Sequence, residues 1–162
     1  MTQLNLALVQ IQTRLGDVEA NLEKHLHFIA EARRLGCELV MFPELSLTGY
    51  VLQDLTPDVA RQPSREDPLF RPLLEASQEI DVLVSFVEAE RRLRYHIAAA
   101  YLSRGQVLHV HRKVYLATYG LFDEGRFFAR GRQVRAFESR FGPCGILICE
   151  DFWHASPPYL LW

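Results

Sequence analysis

The sequence predicts an α/β protein in which helices cover a mixed β-sheet. Its first part follows a strand–helix–strand pattern, which is typical of parallel strands joined by a crossover helix. Its later part is rich in short alternating segments, which are typical of antiparallel hairpins. Parallel and antiparallel pairs together make the sheet mixed. The 162 residues, 49% of them hydrophobic, are enough for one globular domain.

The opening unit is a strand, a long helix and a second strand. Residues 4–10 alternate and are rich in apolar side chains, which predicts a strand. Asp17 then opens a helix that Gly36 ends. The apolar segment 39–42 is predicted as the second strand, and the proline after it turns the chain just before Glu44. The apolar helix positions, which we expect to face the sheet, are Val18, Leu22, Leu26, Ile29 and Ala30.

The rest of the chain is expected to be one further helix followed by strands. The helix is predicted from about residue 68 to residue 78. The basic segment Arg91-Arg92-Leu93-Arg94 is interpreted as the polar turn of a hairpin. Because Glu88 and Glu90 balance its charge, we do not expect it to bind nucleic acid. Strands are predicted at residues 82–87, 97–102, 107–112, 133–137 and 145–149.

Three reactive side chains lie at the ends of predicted strands. Glu44 follows the strand at 39–42, Lys113 follows the strand at 107–112, and Cys149 stands between an apolar run and an acidic turn. Taken alone, each has an ordinary structural explanation, such as a buried thiol or a solvated charge. A nucleophilic thiol, however, needs a proton acceptor and a site that stabilises negative charge on the attacked substrate. A carboxylate and an ammonium can supply both.

These residues and their contexts resemble the nitrilase, or carbon–nitrogen hydrolase, superfamily. The resemblance covers nearly the whole chain. Members of that superfamily use a Glu, a Lys and a Cys as catalytic triad, which match Glu44 in FPELSLTGY, Lys113 in HRKVYL and Cys149 in ILICEDFW. The resemblance implies an α-β-β-α sandwich, in which two mixed sheets pack together with helices outside. It also implies assembly into a homodimer or a larger homo-oligomer.

Within that superfamily, three segments resemble the glutaminase domain of glutamine-dependent NAD synthetases. They are FPELSLTGYVLQDL, TYGLFDEGRFFARG and ICEDFWH. The resemblance implies that Tyr50, Tyr119 and Glu150 contact the glutamine substrate, and that Glu124 is a second, supporting glutamate of the catalytic site. It therefore implies an enzyme that hydrolyses the side-chain amide of glutamine to glutamate and ammonia. Ammonia would then be released or passed to a separate NAD synthetase module, because nothing in this sequence resembles an ATP-binding domain.

The chemistry that we expect at these residues is amide hydrolysis through a thioester. Glu44 would take the proton of Cys149 and return it to the leaving ammonia. Lys113 and the backbone N–H of Glu150 would stabilise the oxyanion, and Glu44 would then activate a water. Two alternatives remain open at this point. One is an ω-amidase, carbamoylase or nitrilase that acts on another small substrate. The other is a non-catalytic scaffold whose pocket does not close on a substrate.

Composition limits the other functional classes. Eighteen basic residues against 20 acidic ones give no excess of positive charge for nucleic acid. No dinucleotide or phosphate-binding glycine motif occurs, so we expect no cofactor. His109 and His111 share one face of a strand but have no third partner at metal-ligand spacing, so we expect no metal. Cys37 and Cys144 suggest no disulfide framework, and the sequence has no basic, apolar leader, so we expect a cytoplasmic protein. No apolar run is long enough to span a membrane.

The expected domain organisation is a single unit over residues 1–162. The resemblance implies that the family's domain continues well beyond Trp162, so we expect this chain to be its N-terminal portion. The apolar segment Tyr159-Leu160-Leu161-Trp162 supports that expectation, because a folded partner would bury such a surface. The chain by itself could then display its catalytic residues and still be inactive.

Overall fold

A five-stranded mixed sheet forms the centre of the computed structural model, which describes residues 4–90 and 94–162. Its strands are β1 (Leu6–Leu8), β2 (Leu39–Met41), β3 (Asp81–Glu90), β4 (Arg94–Ser103) and β5 (Gln106–Arg112). They lie side by side in chain order. β1, β2 and β3 are parallel, whereas β4 and β5 are each antiparallel to the strand before them. The predicted α/β class and mixed sheet are therefore confirmed.

Helix α1 (Val18–Arg34) connects β1 to β2, and its ends lie where the sequence predicts them. The carboxylate of Asp17 caps the first turn by accepting a hydrogen bond from the Ala20 amide at 3.1 Å. Gly36 follows the helix with a φ of +74°, in the left-handed region that glycine adopts without steric cost. The first strand is shorter than predicted, since only Leu6–Leu8 of residues 4–10 pair with β2.

The buried face of α1 differs from the predicted one. Ala30 is exposed, whereas the polar residues Asn21 and His25 are completely buried. Both polar side chains bond to the segment that follows β2. The Asn21 amide donates to the carbonyl of Leu47 at 3.1 Å, and a His25 ring nitrogen lies 2.9 Å from the Ser46 hydroxyl. Apolar periodicity missed them because it does not register polar side chains that find buried partners.

The hairpin of β3 and β4 is confirmed and is longer than predicted. Its two strands pair from Val82 opposite Leu102 to Glu90 opposite Arg94. Residues 91–93, which carry most of the predicted basic turn, lie outside the described residues. The centre of this hairpin is strongly apolar and buried, so it supplies much of the core.

Helix α3 (Phe70–Ala76) packs against α1 and the sheet. It is shorter than the predicted span of residues 68–78. The Asp67 carboxylate accepts hydrogen bonds from the amides of Leu69 (2.9 Å) and Phe70 (3.2 Å), which fixes the start of the helix. A 3₁₀ turn (Gln53–Leu55) and the short helix α2 (Thr56–Val59) precede it.

The positions predicted for the last two strands, residues 133–137 and 145–149, are wrong. A small hairpin of β6 (Phe137–Ser139) and β7 (Gly142–Cys144) replaces them. Residues 145–148 are not part of either sheet; Ile148 is extended (φ −110°, ψ 113°) but pairs with no strand of the described chain. A strand needs a neighbour to complete its hydrogen bonds, which apolar sequence alone cannot specify. The remaining helices are α4 (Glu124–Phe127) and α5 (Ser156–Leu161).

None of the helices within residues 4–90 and 94–162 combines the length and the apolar character that crossing a membrane would require.

Candidate active site

Three segments that are distant in sequence bring Glu44, Lys113 and Cys149 together. Glu44 follows β2, Lys113 follows β5, and Cys149 begins a 3₁₀ turn (Cys149–Trp153). The ammonium of Lys113 donates to Oε1 of Glu44 at 2.7 Å. The same carboxylate lies close enough to the Cys149 thiol for the two groups to affect each other's pKa. Glu44 is therefore bonded to the ammonium and adjacent to the thiol.

Lys113 is completely buried, although lysine is among the residues least often found in protein interiors. Its backbone remains attached to the sheet, since its amide donates to the carbonyl of Ile97 at 2.8 Å. Its ammonium donates to Glu44 and also to Oε1 of Glu124 at 2.8 Å. Two carboxylates thus compensate one buried cation. An ammonium has three N–H bonds, and these two contacts use two of them.

Neighbouring charges and burial set the protonation of Lys113 and Glu44. Burial lowers the pKa of Lys113, but the carboxylates of Glu44 and Glu124 outweigh it, so the pKa lies above its usual value. Burial raises the pKa of Glu44, and this effect exceeds the opposing effect of Lys113. Lys113 therefore stays an ammonium at neutral pH, while Glu44 is a stronger base than an exposed carboxylate.

Cys149 is an exposed residue on a strained turn, although its sulfur is partly buried. Its φ is +43°, which costs energy for a residue with a side chain and is often found at functional sites. Burial and the negative charge of Glu44 raise the pKa of the thiol, and Lys113 offsets this only in part. The resting cysteine is therefore protonated at neutral pH. A protonated thiol would need a neighbouring base to react as a nucleophile, and the Glu44 carboxylate lies near it.

Glu124 supports both the lysine and the neighbouring loop. Its Oε1 accepts hydrogen bonds from Lys113 and from the Tyr50 hydroxyl, and its Oε2 accepts from the Ala117 amide at 2.8 Å. Burial and the bond to Glu124 raise the pKa of Tyr50, so this phenol remains a hydrogen-bond donor. Glu124 begins helix α4, whose position in the sequence did not by itself indicate contact with Lys113.

Tyr119 and Glu150, the other predicted substrate contacts, lie against each other. The Tyr119 hydroxyl donates to Oε2 of Glu150 at 2.7 Å, and His154 approaches Oε1 of the same carboxylate at 3.2 Å. The His154 ring stacks on Tyr115 with 3.8 Å between ring centroids. Glu150 is largely buried, whereas 60% of the Tyr119 surface is exposed. The predicted site residues thus form two groups of bonded side chains near Cys149. One contains Glu44, Lys113, Glu124 and Tyr50, and the other contains Tyr119 and Glu150.

Three residues of this region were missed by sequence reasoning: His111, Asp151 and His154. Asp151 is completely buried and accepts a hydrogen bond from His111 Nε2 at 2.8 Å. The signal was present, because Asp151 and His154 lie within ICEDFWH and His111 begins HRKVYL. His111 and Asp151 were passed over because they are 40 residues apart, whereas His154 was passed over although Glu150 lies only four residues before it.

His109 and His111 do share one face of β5, but each has another partner. His109 stacks on Phe137 with 4.5 Å between ring centroids, and His111 bonds to Asp151. Across residues 4–90 and 94–162, no group of three or more His, Cys, Asp or Glu side chains is arranged to hold a metal ion. The three cysteines are free thiols.

A family model described as carbon-nitrogen hydrolase matches residues 5–160. A glutamine-dependent NAD(+) synthetase from Acinetobacter baylyi is 34% identical over 155 residues, which cover 94% of this chain and 28% of that protein. The chain therefore spans just over a quarter of the length of this relative.

Solved structures agree with these matches. The glutamine-dependent NAD+ synthetase from Acinetobacter baumannii, in complex with ADP, superposes with a TM-score of 0.89 at 33% identity, over 99% of this chain and 30% of that one. Nit3 from Saccharomyces cerevisiae, a member of the nitrilase superfamily, has the same fold, with a TM-score of 0.83 at 21% identity over 98% of this chain and 59% of that one. The nitrilase-like fold expected from the sequence is confirmed. By the family match over nearly its entire length, the chain belongs to the carbon-nitrogen hydrolase family.

Proposed function

We propose that this protein hydrolyses the side-chain amide of glutamine to glutamate and ammonia through a thioester on Cys149. One observation carries the proposal: the Glu44 carboxylate bonds to a buried ammonium, Lys113, and lies beside the thiol of Cys149. A base, a fixed cation and a nucleophile side by side are the groups that acyl transfer to sulfur requires.

The first half of the reaction forms the thioester. Glu44 takes the proton of the Cys149 thiol as Sγ attacks the amide carbon, and the carbonyl oxygen becomes an oxyanion. The remaining N–H of the Lys113 ammonium and the backbone N–H of Glu150 stabilise this oxyanion. The carbon–nitrogen bond then breaks, and Glu44 gives its proton to the leaving nitrogen, which departs as ammonia.

The second half releases the acid. Glu44 takes a proton from water as the water oxygen attacks the thioester carbon, and the same two donors stabilise the new oxyanion. The carbon–sulfur bond breaks, and the proton on Glu44 returns to the sulfur. Glu44 thus acts alternately as base and acid, for which a raised pKa is suited.

Glutamine is the proposed substrate because of two observations. The relatives at 33–34% identity are glutamine-dependent NAD synthetases, and they match nearly all of this chain. Next to Cys149 in the chain, the Glu150 carboxylate is held by Tyr119 and His154, and we infer that its negative charge receives the α-ammonium of the amino acid. The ammonia would be used by a synthetase module outside these 162 residues, in the same polypeptide or a separate one.

The test is ammonia release from glutamine by the wild-type chain and by Cys149→Ala. We expect release that is abolished in the variant, while Cys37→Ala and Cys144→Ala remain close to wild type. Release that persists in Cys149→Ala would refute the proposal. A panel of small amides, N-carbamoyl compounds and nitriles identifies the substrate class if glutamine is not hydrolysed.

A second measurement separates an enzyme from a scaffold. A glutamine-like chloroketone should label Cys149 much faster than Cys37 or Cys144, with the modified residue located by peptide mass spectrometry. Equal and slow labelling of all three thiols would indicate a scaffold that keeps the catalytic residues without a working site.

A further inference from the structure

We propose that Asp151 is a positioning residue, which holds the turn of Cys149 against the segment of Lys113 and so sets the geometry of the reaction. The inference rests on the proposed function in one respect, namely that Lys113 and Cys149 are the reacting groups. Asp151 makes no hydrogen bond to either side chain. Asp151 acts instead through the backbone amides next to Lys113 and next to Cys149.

The carboxylate of Asp151 accepts four hydrogen bonds. Oδ1 accepts from the backbone amides of Val114 at 2.9 Å and Tyr115 at 2.8 Å. Oδ2 accepts from the backbone amide of Ile148 at 3.2 Å and from His111 Nε2 at 2.8 Å. The aspartate is completely buried, so these donors compensate its charge in place of water.

The four donors flank the two reacting residues. Val114 and Tyr115 directly follow Lys113, and His111 precedes it by two positions. Ile148 directly precedes Cys149. One carboxylate therefore joins the end of β5 to the start of the 3₁₀ turn. Within the described residues, no other side chain bonds to the backbone of both segments.

A purely local role does not account for these contacts. Capping the turn would require only the bond to Ile148, three positions before Asp151. The amides of Val114 and Tyr115 are 37 and 36 residues away in sequence. Burial tends to raise the pKa of Asp151, but the hydrogen bonds from His111 and from the backbone outweigh it and leave the pKa below its usual value. Asp151 is thus an ionised acceptor for both segments.

The distance between these segments matters for the reaction. The oxyanion must lie within hydrogen-bond reach of both the Lys113 ammonium and the backbone N–H that follows Cys149. Cys149 also has a φ of +43°, a conformation that persists only when its surroundings hold it. A misplacement of about 1 Å can cost roughly 100-fold in rate.

Asp151→Asn is the informative variant because it preserves shape and removes one acceptor. An asparagine has one carbonyl oxygen and one NH₂ group, so it cannot accept from Ile148 and from the Val114–Tyr115 pair through separate oxygens. At least one of the two segments loses its bond. We expect kcat for ammonia release to fall about 10- to 100-fold while KM changes less than about twofold.

A readout that needs no substrate is the pH profile of Cys149 alkylation by iodoacetamide, measured for each cysteine by peptide mass spectrometry. The thiol is influenced by Glu44, Lys113 and Glu124, so its profile reports its placement among these charges. We expect the midpoint of the Cys149 profile to shift in Asp151→Asn, with Cys37 and Cys144 as internal references. Because this readout is independent of turnover, it separates failure of this inference from failure of the proposed function.

The matched control is Asp81→Asn. Asp81 is also buried and accepts from Tyr101 (2.7 Å) and Ser103 (2.8 Å), but it bonds to neither site segment. It should lose stability and keep the wild-type Cys149 profile. A folded Asp151→Asn protein with an unchanged profile would overturn the inference, as would the same shift in Asp81→Asn.

If Asp151→Asn does not fold, variants of its hydrogen-bond partner His111 test the inference instead. His111→Leu removes the donor to Oδ2, whereas His111→Gln keeps an N–H near the same position. A shifted Cys149 profile in His111→Leu that returns toward wild type in His111→Gln supports the inference. A wild-type profile in His111→Leu contradicts it.

Discussion

Lys113 is one of two lysines in the chain, and the two have opposite surroundings. The ammonium of Lys113 is enclosed by Glu44 and Glu124, whereas that of Lys24 bonds to the carbonyl of Gln12 at an exposed position. A buried cation with two carboxylate partners is costly to remove, because the carboxylates stay behind uncompensated. These contacts make Lys113 the residue whose replacement should most affect both activity and stability.

We predict that Lys113→Met lowers kcat/KM by about 10²–10³, because it removes one oxyanion donor. It should also destabilise the fold by about 3 kcal/mol, because two carboxylates lose their buried partner. Ammonia release and urea denaturation measure the two effects. Lys24→Met is the control and should change neither; near-normal activity of Lys113→Met would remove this lysine from the mechanism.

The pH dependence of activity follows from the protonation states at Glu44 and Cys149. In the proposed mechanism, attack requires an ionised Glu44 and a protonated thiol, and the pKa of both groups is raised mainly by burial. We expect kcat/KM to rise as Glu44 loses its proton and to reach a plateau at neutral pH. It should fall only in strongly alkaline solution, as the thiol ionises. Activity that follows thiol ionisation and is greatest at the most alkaline pH would contradict the role of Glu44 as base.

The elements of the fold present these residues at their ends. Glu44 follows β2 and Lys113 follows β5, so each backbone is fixed by a strand while the side chain reaches beyond the strand. The segment after α4 secures the second of these ends, since the Gly131 amide donates to the carbonyl of Lys113 at 2.7 Å. A Cβ atom at Gly131 would overlap the carbonyl oxygen of Arg112. Only glycine allows these two backbones to approach so closely.

We therefore predict that Gly131→Ala destabilises the protein by about 1–3 kcal/mol, because one of two backbones must move. It should also reduce activity, because the displaced backbone carries Lys113. Gly36→Ala is the comparator: its φ of +74° is strained for alanine, but no atom lies within 4 Å of the added Cβ. Thermal unfolding and ammonia release distinguish the two variants, since Gly36→Ala should lose stability but keep its activity. Equal losses of activity in Gly131→Ala and Gly36→Ala would contradict the role of Gly131 in positioning Lys113.

At the scale of the whole molecule, the buried His25 links the stability of the fold to pH. Its ring lies against Phe42, with 4.1 Å between centroids, and bonds to Asn21 and Ser46. Burial lowers its pKa from 6.5 to about 4, so the folded protein holds the ring neutral. The unfolded chain binds a proton between these two values, which favours unfolding as the pH falls.

We predict that about 3 kcal/mol of stability is lost between pH 6.5 and pH 4 through this single group. The contribution is fully present above pH 6.5 and declines as the pH falls toward the pKa of the folded state. Urea denaturation of the wild type and of His25→Gln across this range measures the difference, since the variant should have a smaller slope with pH. His27→Gln, on the exposed side of α1, is the control. Identical slopes in all three proteins would contradict the prediction.

The helix ends, the hairpin and the mixed sheet of this protein could be predicted from its sequence. Asp17 and Gly36 gave the ends of α1, and alternating segments predicted the hairpin and the mixed sheet, because caps, turns and side-chain periodicity depend on neighbouring residues. The order and contexts of Glu44, Lys113 and Cys149 also indicated the family, which the comparisons confirm.

Features that depend on distant partners emerged only in the folded chain. Residues 145–148 have strand-like sequence but no strand beside them, so they lead into the turn of Cys149 without pairing. Asn21 and His25 are buried because their partners lie in the segment after β2. Asp151 bonds to amides 36 and 37 residues away. The physical reason is the same in each case: a buried polar group or a strand is stable only when its hydrogen-bond partners are in place, and folding alone brings those partners together.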